Sequence, residues 1–322
     1  MLLERLTQCT GVSGREDAIA AILREESKRF ADEIYTDALG NLIVHKKGNG
    51  KKIMLAAHMD EIGVAVTYID DNGFLRFSAI GGVYNKRLVN RRVRFENGIV
   101  GVIDTEADNK DLKINKMYID IYAASKKEAE ELVSVGDMAA FEGAWVQNGD
   151  RIISKALDNR AGCYALIRAL QRVGDENDLY FCFTAQEEVG LRGAKAAVYS
   201  VAPDYAIAVD VTDTGDTPEG EKMEVKLGGG AAIKVMDRCV FSHPEVRTLL
   251  VELAKRGTIP YQLEVRCDGG TDAGAMHTGR AGVKTGGISI PTRYIPSPSE
   301  MASLSDIDAC VELLCAFCDN QF

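Results

Sequence analysis

From about residue 152 to the end of this 322-residue chain, short apolar runs alternate with amphipathic stretches. That alternation restricts the fold more than any other feature. It predicts a helix at 159–173, a strand at 179–185 (LYFCFTA), a helix at 190–200 and a strand at 205–211 (YAIAVDV). A long helix at 243–256, strands at 262–267 and 286–291, and a helix at 303–318 complete the series. Strands separated by helices imply an α/β fold, a mainly parallel sheet with helices on both faces. The N-terminal region has the same texture. NLIVHKK (41–47) and KKIMLAAH (51–58) read as strands separated by a Gly-Asn-Gly turn. Residues 13–30 read as a helix whose capping box pairs Ser13 with Glu16.

Between about 64 and 150 the texture changes to short β-rich runs such as VAVTYI, FLRFSAI and GIVGVI. Asp71-Asn72-Gly73 and Glu96-Asn97-Gly98 punctuate them as hairpin turns do. One helix is expected at 125–134, where Ser125 and Glu128 form a second capping box. These features predict a compact β-barrel-like or sandwich-like module. The simplest organisation is one α/β domain made of 1–63 and 151–322, with 64–150 inserted.

Lys plus Arg is 38 and Asp plus Glu is 48, a formal charge of -10. Nucleic acid and anionic membranes reward clustered positive charge, so neither is expected as a partner. Glu4 and Arg5 stand where a signal peptide needs an apolar core, and no run approaches the roughly 20 apolar residues of a membrane span. The expected location is cytoplasmic. Most of the eight Cys sit in apolar surroundings and read as reduced core residues. Cys315 and Cys318 lie at helical spacing with no second pair to complete a zinc set, and read as core packing.

Four polar clusters fall just beyond apolar strands or at a helix start: AAHMDEIG (56–63), KALDNRAG (155–162), FTAQEEVG (183–190) and AVDVT (208–212). In open α/β sheets, sites form at the C-terminal edge of the strands. Convergence there brings His58, Asp60, Asp158, Glu187, Glu188 and Asp210 into one crevice. Gathered carboxylates repel one another unless a cation sits among them, and a divalent metal pair is the natural neutraliser. One imidazole with carboxylates suits zinc, cobalt or manganese. Each residue alone has a plainer reading. His58 fits a satisfied polar residue, Asp158 a helix N-cap, Asp210 a turn cap, and Glu187-Glu188 a solvated helix start. Their joint occurrence at one sheet edge favours His58, Asp158, Glu188 and Asp210 as metal ligands. With Glu188 on a metal, Glu187 stays free to take a proton from a polarised water. Asp60, two residues after His58, is placed to orient the imidazole.

These clusters resemble those of the TET-type dinuclear metalloaminopeptidases, which include glutamyl and deblocking aminopeptidases. The resemblance runs over almost the whole chain, through GVSGRE (11–16), AHMDEIG, LDNRAG, QEEVGLRGA, VDVT, GGTDAGAMH (269–277) and SIPTRYIPSPSE (289–300). It implies an aminopeptidase-like catalytic domain with an inserted β-rich dimerisation domain, releasing N-terminal residues from short peptides. It implies Asp158 as the ligand bridging two metals, with His58 and Asp210 completing one set. Glu188 and a late His complete the other, and Glu187 is the general base. The late His is replaced in Arg293-Tyr294-Ile295-Pro296-Ser297, where Pro296 offers no ligand. The implied cofactor is one or two divalent ions per chain. The resemblance further implies self-association through 64–150 into dimers that build a hollow dodecamer. Besides an aminopeptidase, two alternatives stay open: a weak or non-catalytic binding or scaffold homologue with an incomplete metal site, and a metal-dependent deacylase. His277 reads as a packing residue of its own helix. His45 and His243 read as surface or packing residues, His243-Pro244 preceding a helix.

Overall fold

The chain enters through two helices, α1 (Leu2–Gln8) and α2 (Asp17–Ser27), in a computed structural model that describes residues 1–218, 220 and 222–322. The first three strands are β1 (Glu33–Thr36), β2 (Leu42–Lys46) and β3 (Lys52–His58). Six further strands follow: β4 (Gly63–Ile69), β5 (Leu75–Ile80), β6 (Arg92–Phe95), β7 (Val100–Thr105), β8 (Met117–Asp120) and β9 (Met138–Phe141). They close into a barrel in the order β4-β5-β8-β7-β6-β9. Side chains alternate across each strand, so β6 turns Val93 and Phe95 inward and Arg92 and Arg94 to solvent. The barrel has its own core, including Val64, Leu75, Val93, Ile103 and Ile119. At the β4–β5 turn the Asp70 carboxylate accepts the Asn72 and Phe74 amides, and Gly73 supplies the positive φ. Helix α3 (Lys126–Leu132) buries Ala129 in that core, and Ser125 caps it by accepting the Glu128 amide at 3.3 Å. The Glu128 carboxylate reaches back to the Ala124 amide rather than to Ser125.

The remaining elements are β10 (Val146–Asn148), β11 (Arg151–Ser154), α4 (Leu157–Leu170), β12 (Asp178–Thr184), α5 (Arg192–Val201), β13 (Tyr205–Thr212) and β14 (Ala231–Met236). After them come α6 (Pro244–Gly257), β15 (Tyr261–Val265), α7 (Ala273–Met276), β16 (Lys284–Arg293), β17 (Glu300–Ser303) and α8 (Leu304–Cys318). The large sheet runs β1-β2-β12-β3-β13-β16-β17-β11-β10, with β14 on β16 and β15 on β14. Only its centre is parallel: β12, β3, β13 and β16 run together, and β14 runs with β15. Every other pairing is antiparallel. The expectation of a mainly parallel sheet is therefore corrected to a mixed one. The reason is local at both ends. The β1–β2 and β10–β11 connections are too short for a helical crossover, and short connections join antiparallel neighbours. The two N-terminal strands on either side of the Gly-Asn-Gly turn are not neighbours, because β12 lies between them.

Both faces of the sheet are covered. Phe181 and Phe183 of β12 face a core shared with α1, α2, α4, α6 and α8, while Cys182 faces a second core with α5 and α7. Cys318 is buried in the first core and Cys315 packs against it, and all eight cysteines are free. The start of α2 differs from the expected capping box. The helix begins at Asp17, after Glu16, and no side chain caps it. Ser13 instead donates its hydroxyl to Asp60 Oδ2 at 2.6 Å, because a buried carboxylate there needs a donor more than an exposed helix end does. Among the described residues, no helix is long and apolar enough to cross a membrane.

Candidate metal centre

The parallel strands β3, β12 and β13 deliver their C-terminal ends to one edge of the sheet, with Thr184 in register with His58. His58 is the last residue of β3, and Asp210 lies near the end of β13. Glu187 and Glu188 follow β12 in the connection to α5, which begins only at Arg192. Asp158 sits in the first turn of α4, where its backbone dihedrals and those of Asn159 are not helical. Its side chain makes no capping bond and faces His58.

All six predicted residues meet there. His58 Nε2 lies 3.1 Å from Asp158 Oδ1, 3.7 Å from Asp210 Oδ1 and 3.9 Å from Glu187 Oε2. On the other side of the ring, Nδ1 is 3.0 Å from the Asp60 carbonyl oxygen and 3.4 Å from Asp60 Oδ1. The Asp60 carboxylate also accepts the Glu187 amide at 2.9 Å and the Glu188 amide at 3.1 Å. One fully buried residue thus fixes both the imidazole and the loop carrying the two glutamates. Glu188 Oε2 lies 3.5 Å from the Gly82 amide, on the barrel side of the cavity.

The electrostatics describe a site with an excess of negative charge. Burial disfavours the charged His58 ring, but Glu187, Asp158, Asp60 and Asp210 outweigh it and hold its pKa well above the ordinary value. Burial pushes the Asp210 carboxyl up to about 8, helped by Asp158 and Asp272 and opposed by His58. Glu187 is raised by burial and by Asp210, Asp272 and Glu188, and Glu188 by burial and by Asp158 and Asp60. Asp60 behaves in the opposite sense. Its burial is overcome by His58, Ser13 and the Glu187 amide, so it stays a carboxylate. His58, Asp158 and Asp210 each offer one ligand atom, all within 4.8 Å of one another, and are the group of this kind found among the described residues. One buried imidazole nitrogen and two carboxylates form a donor set that fits a divalent ion of the zinc type.

A family profile described as M42 glutamyl aminopeptidase matches residues 40–313. The chain belongs to this family. A putative aminopeptidase of Acetivibrio thermocellus is 57% identical over 97% of this chain and 96% of its own length. Among solved structures, an aminopeptidase from the archaeon Desulfurococcus kamchatkensis is 40% identical, with a TM-score of 0.95 over 99% of this chain and 93% of that one. The TET1 peptidase of Pyrococcus horikoshii, described as able to assemble into a tetrahedron or a large octahedral shell, is 35% identical. Its TM-score is 0.90 over 98% of both chains.

Other residues of this M42 chain shape the centre without having been singled out from the sequence. Glu300 is buried and accepts the Asp158 amide at 2.9 Å and the Ser297 amide at 3.0 Å, so it sets Asp158 from behind. Asp272 accepts the Thr184 hydroxyl at 2.5 Å beneath the site. Both stand in quoted motifs, SPSE and GGTDAG, but neither spacing says which oxygen meets which amide. Pro296 lines the cavity beside Glu188. His277 does not approach the centre. Its Nδ1 lies 3.0 Å from the Ala273 carbonyl, and it lines a separate cavity with Phe241. His45 stacks on Tyr180 with ring centroids 4.0 Å apart, and His243 precedes Pro244 at the start of α6.

Proposed function

We propose that this M42 chain is a metal-dependent aminopeptidase that releases N-terminal residues from short peptides. The observation that carries this reading is His58 Nε2 facing Asp158 and Asp210 at 3.1 and 3.7 Å in a buried pocket. A divalent ion such as zinc, cobalt or manganese, held by His58, Asp158 and Asp210, supplies Lewis acidity toward a peptide carbonyl and toward water. Glu188 offers a further carboxylate on the Gly82 side of the cavity. Glu187 takes the proton of the attacking water and passes it to the leaving amine. The Asp60 carboxylate holds the Glu187 backbone at 2.9 Å, and so keeps that base in place through the transfer. We assign 1–63 and 151–322 to catalysis and 64–150 to dimerisation. The closed barrel, from β4 to β9, has a core of its own to support that role. A hollow shell built from such dimers admits short peptides and excludes folded proteins, and the Pyrococcus horikoshii relative is described as able to assemble into a tetrahedron or a large octahedral shell. A cytoplasmic enzyme of this kind acts on free peptide N-termini.

A second reading has one observation in its favour. Pro296 lines the cavity next to Glu188 and has no ligand atom to offer. Under this reading the chain holds one ion and is a weak or non-catalytic binding homologue. The test of the leading reading is release of nitroaniline from aminoacyl-nitroanilides by the purified chain with added cobalt or zinc. No release from any aminoacyl substrate sinks it.

A further inference from the structure

Residues 11–16 (GVSGRE) contribute no ligand to the centre, yet they lie against the loop that carries Glu187 and Glu188. The segment is pinned at its start, where the Gly11 amide donates to Glu61 Oε1 at 3.0 Å and the Glu61 amide to the Gly11 carbonyl at 2.9 Å. A turn follows, with the Arg15 amide on the Val12 carbonyl at 2.8 Å and Gly14 at a φ of 87°. Glu16 leaves this turn buried, 6% exposed. Its Oε1 accepts the Gly14 amide at 2.8 Å and, from 170 positions along the chain, the Gln186 amide at 3.0 Å.

Four consecutive amides of that loop are held by side chains from outside it. Asn41 Oδ1 accepts the Ala185 amide at 2.9 Å, Glu16 the Gln186 amide, and the two oxygens of Asp60 the Glu187 and Glu188 amides. Gln186 has a φ of 57°, a left-handed conformation that a residue with a side chain keeps only where its surroundings impose it. The two peptide planes before the Glu187 Cα are therefore set by Glu16 and Asp60. One turn holds both carboxylates, since Ser13 donates to Asp60 Oδ2. Irregular buried backbone needs acceptors, but any acceptor satisfies that need. Here the acceptor is an anchored carboxylate, which binds amides more strongly than a neutral oxygen does, and it acts one residue before the base.

We propose that Glu16 is a positioning residue for Glu187. Through the Gln186 amide it sets where the Glu187 carboxylate stands relative to His58. The proposal rests on the assignment of Glu187 as base in the aminopeptidase reading. Glu16 itself transfers no proton and holds no ion.

A double-mutant cycle on Glu16 and Glu187 tests it, with an aminoacyl-nitroanilide and added cobalt or zinc. Glu16→Ala is expected to lower kcat roughly 10- to 100-fold with KM and bound metal little changed, because a shift of about 1 Å at a reacting group can cost that much. Glu16→Gln, which keeps an oxygen for the Gln186 amide, is expected to recover most of the loss. Adding Glu16→Ala to Glu187→Gln is expected to cost about twofold or less, since the group it positions is already gone. In the metal-free chain, amide exchange over 183–190 is expected to quicken in Glu16→Ala and to return in Glu16→Gln. Should Glu16→Ala not fold, Glu16→Asp, one methylene too short for Gln186, takes its place in the cycle. Losses that simply multiply in the double variant, or unchanged exchange, make Glu16 a structural residue and overturn the proposal while the aminopeptidase reading stands. A Glu187→Gln variant of normal kcat overturns it too, by removing the base. A wild type that releases nothing from any aminoacyl substrate sinks the aminopeptidase reading, and the positioning role falls with it.

Discussion

Asp60 meets the His58 ring with both its backbone and its side chain, the carbonyl oxygen 3.0 Å and Oδ1 3.4 Å from Nδ1. The contact keeps a proton on Nδ1, so the proton a divalent ion would displace is the one on Nε2, the nitrogen aimed at Asp158 and Asp210. Asp60→Asn keeps the size but loses the charge and one acceptor for the Glu187 and Glu188 amides. Metal affinity is expected to fall roughly 10- to 100-fold with the fold retained. Metal titration followed by a fluorescent chelator competition measures this, and an unchanged affinity removes Asp60 from the supporting role.

Glu187 and Glu188 are adjacent yet are assigned different tasks, so their variants must differ in kind. Glu187→Gln is expected to keep the bound metal and to lose roughly 10²- to 10⁴-fold in kcat, with KM little changed. The carboxylate lies 3.9 Å from His58 Nε2, the longest of the three acidic contacts there, which leaves it free for a water. Metal content by mass spectrometry and a full kinetic curve on one substrate decide the matter. A variant of normal kcat excludes Glu187 as base.

Pro296 bears on metal count. Asp158 and Glu188 are the carboxylates beside it, and Ile295 and Pro296 contribute no donor side chain to that end of the cavity. Under the binding-homologue reading the wild-type chain is expected to hold about one ion or none, and Pro296→His to gain metal together with activity. Stoichiometry after exhaustive dialysis separates the cases. Two ions retained by the wild type contradict that reading.

Legibility in the sequence followed the range of the interaction. β3, β12 and β13 were legible because they are central and apolar along most of their length, and their ends lead into the residues of the centre. The mixed character of the sheet was not, because inside the two edge hairpins β2 meets β12, β11 meets β17 and β14 meets β16 antiparallel across long stretches of sequence. Ser13 shows the same limit at one residue. Its spacing to Glu16 satisfies the capping pattern, but Asp60, forty-seven positions away, takes its hydroxyl. His58, Asp158 and Asp210 could be grouped because each follows a strand or opens a helix. Glu300 could not, since its role comes from the backbone amides it meets in the fold.

Lys155 and Glu61 form a buried ion pair below the centre, with Nζ 2.6 and 2.8 Å from the two carboxylate oxygens and side chains 6% and 3% exposed. Arg160 stands 3.6 Å from the same carboxylate and is itself fully buried. Removing Glu61 alone leaves two cations unmatched, so Glu61→Gln is expected to destabilise by about 3–5 kcal/mol. The double change Glu61→Gln with Lys155→Met is expected to cost less than the sum of the single changes. Urea unfolding of the four proteins measures the coupling. Additive costs show that the pair acts as two independent residues.

Arg293, at the end of β16, holds Asp216 by two contacts, Nε to Oδ1 at 3.1 Å and Nη2 to Oδ2 at 2.6 Å. This fork is the largest of the causes that lower the Asp216 carboxyl to about 2; burial opposes it, and Thr214 and the Leu227 amide add to it. The unfolded chain releases the same proton near pH 3.9. The folded pKa is the lower one, so the stabilisation is fully present above about pH 4 and is lost as pH falls toward about 2. Both side chains are about a quarter exposed, and solvent screening keeps the contribution below about 1 kcal/mol. Asp216→Asn has no carboxyl to titrate. The stability difference between wild type and variant, from denaturant unfolding at stepped pH, is therefore expected to be constant from pH 7 to 5 and to shrink below pH 4. A difference that grows toward acid reverses the sign and removes the fork as its cause.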